Sequence, residues 1–518
     1  MRMAIFLLLA AILLTAVAYL RPPEYDEAYS IFLTAGDARP AWPSGVFHPA
    51  DVRGFYTGSA SPARIALDLR MGDVHPPLYF WALEYWRRVF GPSWFAARLL
   101  SVVFSVATLT ALARLAAMAD VPVGPALLLT LLSYGFAYTG TVARGFALAQ
   151  LLNVCGMTLL FRATQIVDAR FRGRRGQRFH RRDAPMERPR RDDGVEQPMA
   201  QLTRHARESG HPRLWLSLVG GLCLGAASFT NYLAVFTGLA VLLWLLLKHR
   251  RQLLPAAFGF ALFLPGDWYF YTAQHGTRTG QFVAFSLPHA LALLAKDFGA
   301  ALFGGLPLYA GRAAPLVAAA LLVLFIACLI AIIRRRAPHA LLFALAAAAM
   351  PGGLLALGLI FNNTPIEIRY LAFSLPFLAL LLAGALTRPL LLIVLAVQAC
   401  AIAGLAFAPS TMQPQGLAAL AAAREATPGT LVLVPFGNDG VGVPGPFIAA
   451  APDNMVIELV RGTPPDVAAY RRVIVAAIAA DGSSRAASRR LLAGFPAQCW
   501  QRGGAELAVT FTAICRVH

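Results

Sequence analysis

The stretch MAIFLLLAAILLTAVAYL, Met3 to Leu20, carries no charge from end to end. A bilayer core is crossed by about 20 apolar residues in helical form, so this stretch is long enough to span. Its TAVA, just before Tyr19, also offers the Ala-x-Ala cleavage pattern of a secretory leader. We read a retained anchor. Under either reading the residues from Arg21 onward are expected outside the cytoplasm.

Beyond it, ten further apolar segments are expected to span, at about 95–118, 124–142, 145–162, 214–230, 232–247, 253–271, 313–333, 339–361, 371–386 and 389–407. The composition agrees: 518 residues, 58% hydrophobic, with a mean hydropathy of +0.60. A soluble fold of this length could not bury so much apolar surface. The fold class expected is an α-helical polytopic membrane protein with about eleven transmembrane helices, external amphipathic helices in its first loop and a small C-terminal α/β domain.

A formal charge of +19 raises the question of nucleic acid. The arginines gather between apolar segments rather than along an aromatic-studded groove, so membrane orientation explains them and no nucleic-acid partner is expected. The loop from Arg21 to His75 holds five arginines against seven acids and belongs outside. Counting spans onward, Arg170 to Arg213, with thirteen arginines against six acids, comes out inside. So do KHRR at 248–251 and RRR at 334–336.

The loop 163–213 is rich in Arg, Pro and Gly without apolar periodicity, and reads as a disordered cytoplasmic segment. Cys155, Cys223, Cys328 and Cys400 lie in apolar runs, where a thiol acts as a small hydrophobe. Cys499 and Cys515 lie in a polar region and could form a disulfide if that region is external.

Two domains are expected, 1–408 in the membrane and 409–518 outside it. The second shows strand-like runs TLVLVPF, NMVIELV and RRVIVAAIA, and a helix-like SSRAASRRLLAGF. Its GNDGVGVPG lacks the Gly-Lys-Ser/Thr ending of a phosphate loop and reads as a turn.

The richest polar segment is the external loop 21–93, too long for a simple connector. Within it EYDEAYSIFLTAGD reads as an amphipathic helix. Asp26 could serve as its N-cap, with Glu27 complementing the helix dipole. In GDVHPPLYFW, Gly72 to Trp81, the prolines fit a helix start, and Leu78, Trp81, Ala82, Tyr85 and Trp86 form a face suited to the membrane interface. Asp73 and His75, at the mouth of a membrane-embedded cavity, could hold a proton, a phosphate or a metal.

DEAYS, DVHPPLYFW…FGPSWFAARLLSV, YTGTVARGFAL, TNYLA and IRYLAFSLP, in this order over residues 1–390, resemble the GT-C glycosyltransferases that use lipid-linked sugars. That group, glycosyltransferase family 39 type, includes protein mannosyltransferases, aminoarabinose transferases and galacturonosyltransferases. The resemblance implies an inverting transferase of the bacterial inner membrane. It would move a hexosyl or pentosyl group from a polyprenyl-phosphate carrier to a hydroxyl of a lipid A, cell-envelope glycan or protein acceptor at the periplasmic face. It implies Asp26 as catalytic base with Glu27 in support, and Arg369-Tyr370 match an Arg-Tyr pair of the family. The leaving phosphate needs positive partners, and the span count places His75, beside Asp73, and Arg144 and Arg369 near external helix ends as substrate contacts. His75 departs from relatives with lysine nearby, so a phosphate contact there depends on its protonation. Arg278 and Lys296 are weaker phosphate candidates. No cofactor is expected, although a divalent cation could assemble on Asp26, Asp73 and His75. A transporter would place its ionisable groups at mid-membrane, and a polysaccharide polymerase or ligase its large loop late in the chain. Asp267 is the main acid within a span.

Overall fold

The computed structural model describes residues 2–180, 211–274, 283–335, 339–407, 414–461, 465–478, 482–495, 500–502 and 510–516. Among these, seven helices are long and apolar enough to cross a membrane: Arg2–Leu20, Trp94–Met118, Phe146–Gln165, Gly311–Arg334, Ala340–Phe361, Ile368–Ala385 and Arg388–Phe407. Their outward faces stay apolar, with Leu316 and Ile333 each 75% exposed, as lipid contact rather than water requires. The chain is a multi-pass membrane protein.

The expected count of eleven is not reproduced. The segment at 253–271 becomes two helices, Arg250–Ala261 and Leu264–Gln274, bent by 44°. Those at 214–230 and 232–247 form shorter helices, Arg213–Ser228 and Tyr232–Lys248. The segment at 124–142 breaks into Val123–Leu131 and Tyr134–Thr139, followed by irregular chain to Gly145. Hydropathy could not show this break because every residue from Ser133 to Ala147 is buried in protein. Non-helical backbone at membrane depth is tolerated in such surroundings. Here its polar groups are met by neighbours: Ser101 Oγ donates to the Val142 carbonyl at 2.7 Å.

The helix beginning at Phe146 continues to His180, so the first part of the basic loop is helical rather than disordered. The disorder expected further along falls on 181–210, outside the described residues.

In the first loop, helix Tyr25–Ala35 ends at Gly36, whose φ of 98° is left-handed and whose N–H bonds the Phe32 and Leu33 carbonyls. Its N-cap is Glu24, whose N–H donates to Glu27 Oε2 at 3.1 Å, a capping arrangement that leaves Asp26 uninvolved. Helix Leu78–Phe90 starts directly after Pro77, as the prolines indicate. Its Trp81 and Trp86 are half-buried and donate to the carbonyls of Pro62 and Ala96 at 3.0 and 2.7 Å.

The C-terminal sheet has six strands: β1 (Val46–Phe47), β2 (Thr430–Pro435), β3 (Ile457–Val460), β4 (Arg472–Ile478), β5 (Trp500–Arg502) and β6 (Thr510–Arg516). Their order is β1-β3-β2-β4-β6-β5. β2 runs parallel to β3 and β4, and the remaining pairs are antiparallel. Alternation along β2 explains the two cores. Val432 and Val434 meet Ala418 and Phe447 on one face, while Leu431 and Leu433 meet Leu491 on the other. The edge strand β1 belongs to the first loop, so that loop is stitched directly to the α/β domain. Cys515 lies in β6; Cys499 and its pairing fall outside the described residues.

Candidate functional site

Two tiers of charge sit at the ends of the spans. The lower tier is closed. Glu27 is fully buried, and Arg98, from within the span Trp94–Met118, grips it through Nε to Oε1 at 2.7 Å and Nη2 to Oε2 at 2.5 Å. Ala143 N–H adds a third bond to Glu27 Oε1 at 3.0 Å. Arg98 also donates to the carbonyls of Ala18, Arg21 and Pro22 at 2.8, 2.6 and 2.8 Å, satisfying backbone acceptors at the end of the first span. Beside it, Arg21 Nη2 donates to Glu24 Oε2 at 2.7 Å, and the Tyr138 hydroxyl donates to the other Glu24 oxygen. Burial pushes the Glu24 carboxyl above its ordinary range, against the pull of Arg21.

The upper tier is open. Asp26, one residue before Glu27, points about 100° around the helix from it and lines a cavity of about 1090 Å³. Arg369, which opens the span Ile368–Ala385, pairs with Asp26 and with Glu367. Arg144, at the end of the irregular segment, places Nη2 at 3.1 and 3.2 Å from the two oxygens of Asp73. His75 Nδ1 lies 2.9 Å from both Asp73 Oδ1 and Arg144 Nη2. Burial alone would raise the Asp73 carboxyl. The charge of Arg144 and the bonds from His75 and the Val74 N–H overcome it and hold Asp73 well below the usual carboxylate range. Arg144 Nε is buried with no hydrogen-bond partner among the described residues, so the guanidinium keeps a spare donor.

Of the sequence candidates, Asp26, Asp73, Arg144 and Arg369 converge on this cavity. Glu27 does not reach it. His75 stands behind Asp73, its carbonyl accepting from Gln274 Nε2 at 3.2 Å. Tyr370 is buried against Phe146, with ring centroids 6.4 Å apart. Lys296 is exposed on helix Leu287–Phe303, away from the cavity lining, and Arg278 falls outside the described residues. Asp267 accepts from Ser228 Oγ at 2.7 Å. No cluster of metal-ligating side chains occurs among the described residues.

The sequence reading missed the anchors Arg98 and Arg21-Glu24, and also Arg39, Tyr25, Asp439 and Arg461 of the cavity wall. An arginine inside an apolar run was the available signal for Arg98, because a charge at that depth needs a partner. The wall residues carry no such signal, since the wall forms only when the α/β domain docks.

The fold and site thus define a polytopic membrane protein with a charged cavity at its span ends, roofed by an α/β domain. No protein-family model and no curated protein matches the chain. Among solved structures it is similar to ArnT from Cupriavidus metallidurans bound to undecaprenyl phosphate. The identity is 12% over 99% of this chain and 97% of that one, with a TM-score of 0.47. It is also similar to the apo oligosaccharyltransferase of Archaeoglobus fulgidus (13%, 87% and 65%, 0.42) and the arabinofuranosyltransferase AftD from Mycobacteria (14%, 99% and 40%, 0.38). Two of these structural neighbours are transferases by name, an oligosaccharyltransferase and an arabinofuranosyltransferase.

Proposed function

We propose that the protein transfers a sugar from a polyprenyl-phosphate carrier to an acceptor hydroxyl at the external face of a bacterial inner membrane. The observation that carries this reading is the convergence of Asp26 with Arg144 and Arg369, within a wall of four acids and four arginines, on a single cavity at the span ends. The motifs DEAYS, VARGFAL and IRYLAFSLP, which resemble those of the lipid-linked GT-C enzymes, carry the same three residues.

In this reading the acceptor hydroxyl attacks the anomeric carbon and gives its proton to Asp26. The bond from that carbon to the phosphate oxygen breaks, and polyprenyl phosphate leaves with the electron pair. A single displacement inverts the anomeric centre. The leaving group is already anionic and needs no acid; it needs positive charge, which Arg144 and Arg369 supply from fixed positions. Arg369 holds Asp26 in the ligand-free arrangement. The donor phosphate would draw Arg369 toward itself and release the carboxylate to act as base. Glu27 supports Asp26 by anchoring the helix through Arg98. Asp73 keeps Arg144 oriented, and His75 buttresses that pair. The two arginines carry the phosphate charge, so a divalent cation is not required.

The test compares wild type with Asp26→Asn in membranes fed radiolabelled polyprenyl-phosphate sugars, following loss of label from the carrier. Wild type is expected to consume label and the variant to leave it. Equal consumption by both sinks the base assignment, and no consumption by wild type across several sugars removes the transferase reading.

A further inference from the structure

The loop GNDGVGVPG, residues 437–445, reads in the sequence as a turn, yet it presses on the helix that carries Asp26. Asp439 is its centre. Oδ1 of Asp439 accepts the N–H groups of Val441 and Gly442 at 2.9 and 2.7 Å, which shapes the turn. Oδ2 accepts the hydroxyl of Tyr25, the residue immediately before Asp26.

The contact is close along its length. A Cβ on Gly442 would sit 2.4 Å from the Tyr25 ring, and one on Gly445 would sit 2.7 Å from Phe32 and 3.1 Å from Ala28. Only glycine lets the two backbones approach so nearly. Val441 is buried with Ala28 and Phe32, and Trp42 Nε1 donates to the Gly440 carbonyl at 2.5 Å.

Asp439 also differs from the other acids lining the cavity. Asp26 and Glu367 pair with Arg369, and Asp73 pairs with Arg144. Among the described residues no cation pairs with Asp439. Its charge is committed to two backbone amides and to the hydroxyls of Tyr25 and, one turn on, Tyr29, and hydrogen bonds to an ionised acceptor are the stronger kind. Burial, then the neighbouring Asp439, pushes the Tyr25 hydroxyl well above its usual range, so it stays a donor.

We propose that Asp439 is a positioning residue for the transfer reaction: through Tyr25 it sets the height and rotation of Asp26. The α/β domain is thereby a working wall of the site rather than an appendage. The inference rests on the proposed base role of Asp26. It adds that a residue more than four hundred positions away in sequence governs how well that base is aimed.

The full-length protein in lipid nanodiscs tests this with two measurements. In label transfer from a polyprenyl-phosphate sugar, Asp439→Ala and Tyr25→Phe should each lower kcat about tenfold, the size of one lost charge-assisted bond. Donor KM should stay within about twofold, with kcat expressed per folded enzyme counted from the monodisperse peak, because an unfolded fraction lowers apparent kcat at unchanged KM. Asp439→Asn keeps one acceptor oxygen for the turn but puts a neutral amide where Oδ2 stood, so its rate should fall between Asp439→Ala and wild type, and the double variant Asp439→Ala/Tyr25→Phe should be no slower than either single one. In hydrogen exchange, both single variants should speed exchange over residues 25–30. Tyr25→Phe leaves the Asp439 turn intact, so it remains informative if Asp439→Ala misfolds. Unchanged kcat, multiplying effects or unchanged exchange overturns the proposal. Faster exchange without any wild-type transfer shows the clamp to be real and removes the transferase reading, and this proposal with it.

Discussion

Asp26 and Glu27 are adjacent acids on one helix, and they end in opposite surroundings. Helical geometry turns successive side chains by about 100°, enough to send one into the cavity and the other into the protein. Glu27 meets the Nε–Nη2 edge of Arg98 with both of its oxygens in an enclosed pocket, whereas Asp26 meets one arginine beside open space. The difference teaches that this site is built as an anchor beneath a working face. The anchor saturates its hydrogen bonds and holds the helix; the face keeps pairs that a ligand can rearrange.

The sharpest way to break the comparison is to neutralise each acid in turn. Asp26→Asn should keep its fold and lose transfer by about 10² to 10⁴, the range of a general base, measured as label leaving the carrier. Glu27→Ala should first lose stability, by about 3 to 5 kcal/mol for a broken buried pair, read as a lower melting temperature in detergent. A stable Glu27→Ala beside an active Asp26→Asn would reverse the two roles.

The two cavity arginines should give a smaller effect. Arg144→Lys and Arg369→Ala are expected to weaken polyprenyl-phosphate binding roughly tenfold to a hundredfold in a competition assay, each by loss of a charge-assisted contact. Transfer in the presence of EDTA should match transfer without it; a loss restored by magnesium would move the phosphate charge from the arginines to a metal.

The smallest effect is one of pH. Asp73 is held below its ordinary value of 3.8 in the folded protein, so its stabilising contribution is present above that value. Below 3.8 the unfolded chain takes up the proton first, and the contribution falls as pH drops toward the folded value. Melting temperatures from pH 5 down to 2 should therefore fall more steeply for wild type than for Asp73→Asn. Parallel curves would mean that Arg144 does not hold Asp73 as the geometry indicates.

Much of this architecture was legible in the chain. Apolar length exposed the spans, and the short unbroken apolar run TLVLVPF marked β2, buried on both faces, because those patterns follow directly from what each element must bury. Pro76 and Pro77 marked the start of the helix at Leu78. Hydropathy failed at 124–142, where burial by protein, not lipid, permits broken helix. Aspartate and arginine in DEAYS, DVHPP, VARGF and IRYLA pointed to a common site, and all four contribute to one cavity.

The sequence by itself therefore determined a multi-pass membrane chain with an acid-bearing loop after its first apolar segment, because hydropathy and charge are local properties of residues. Only the tertiary structure decided which acid of the pair faces the cavity, that Arg98 anchors the other, and that Asp439 reaches Tyr25. Those outcomes depend on helix rotation and on the docking of distant segments, and no local pattern encodes either.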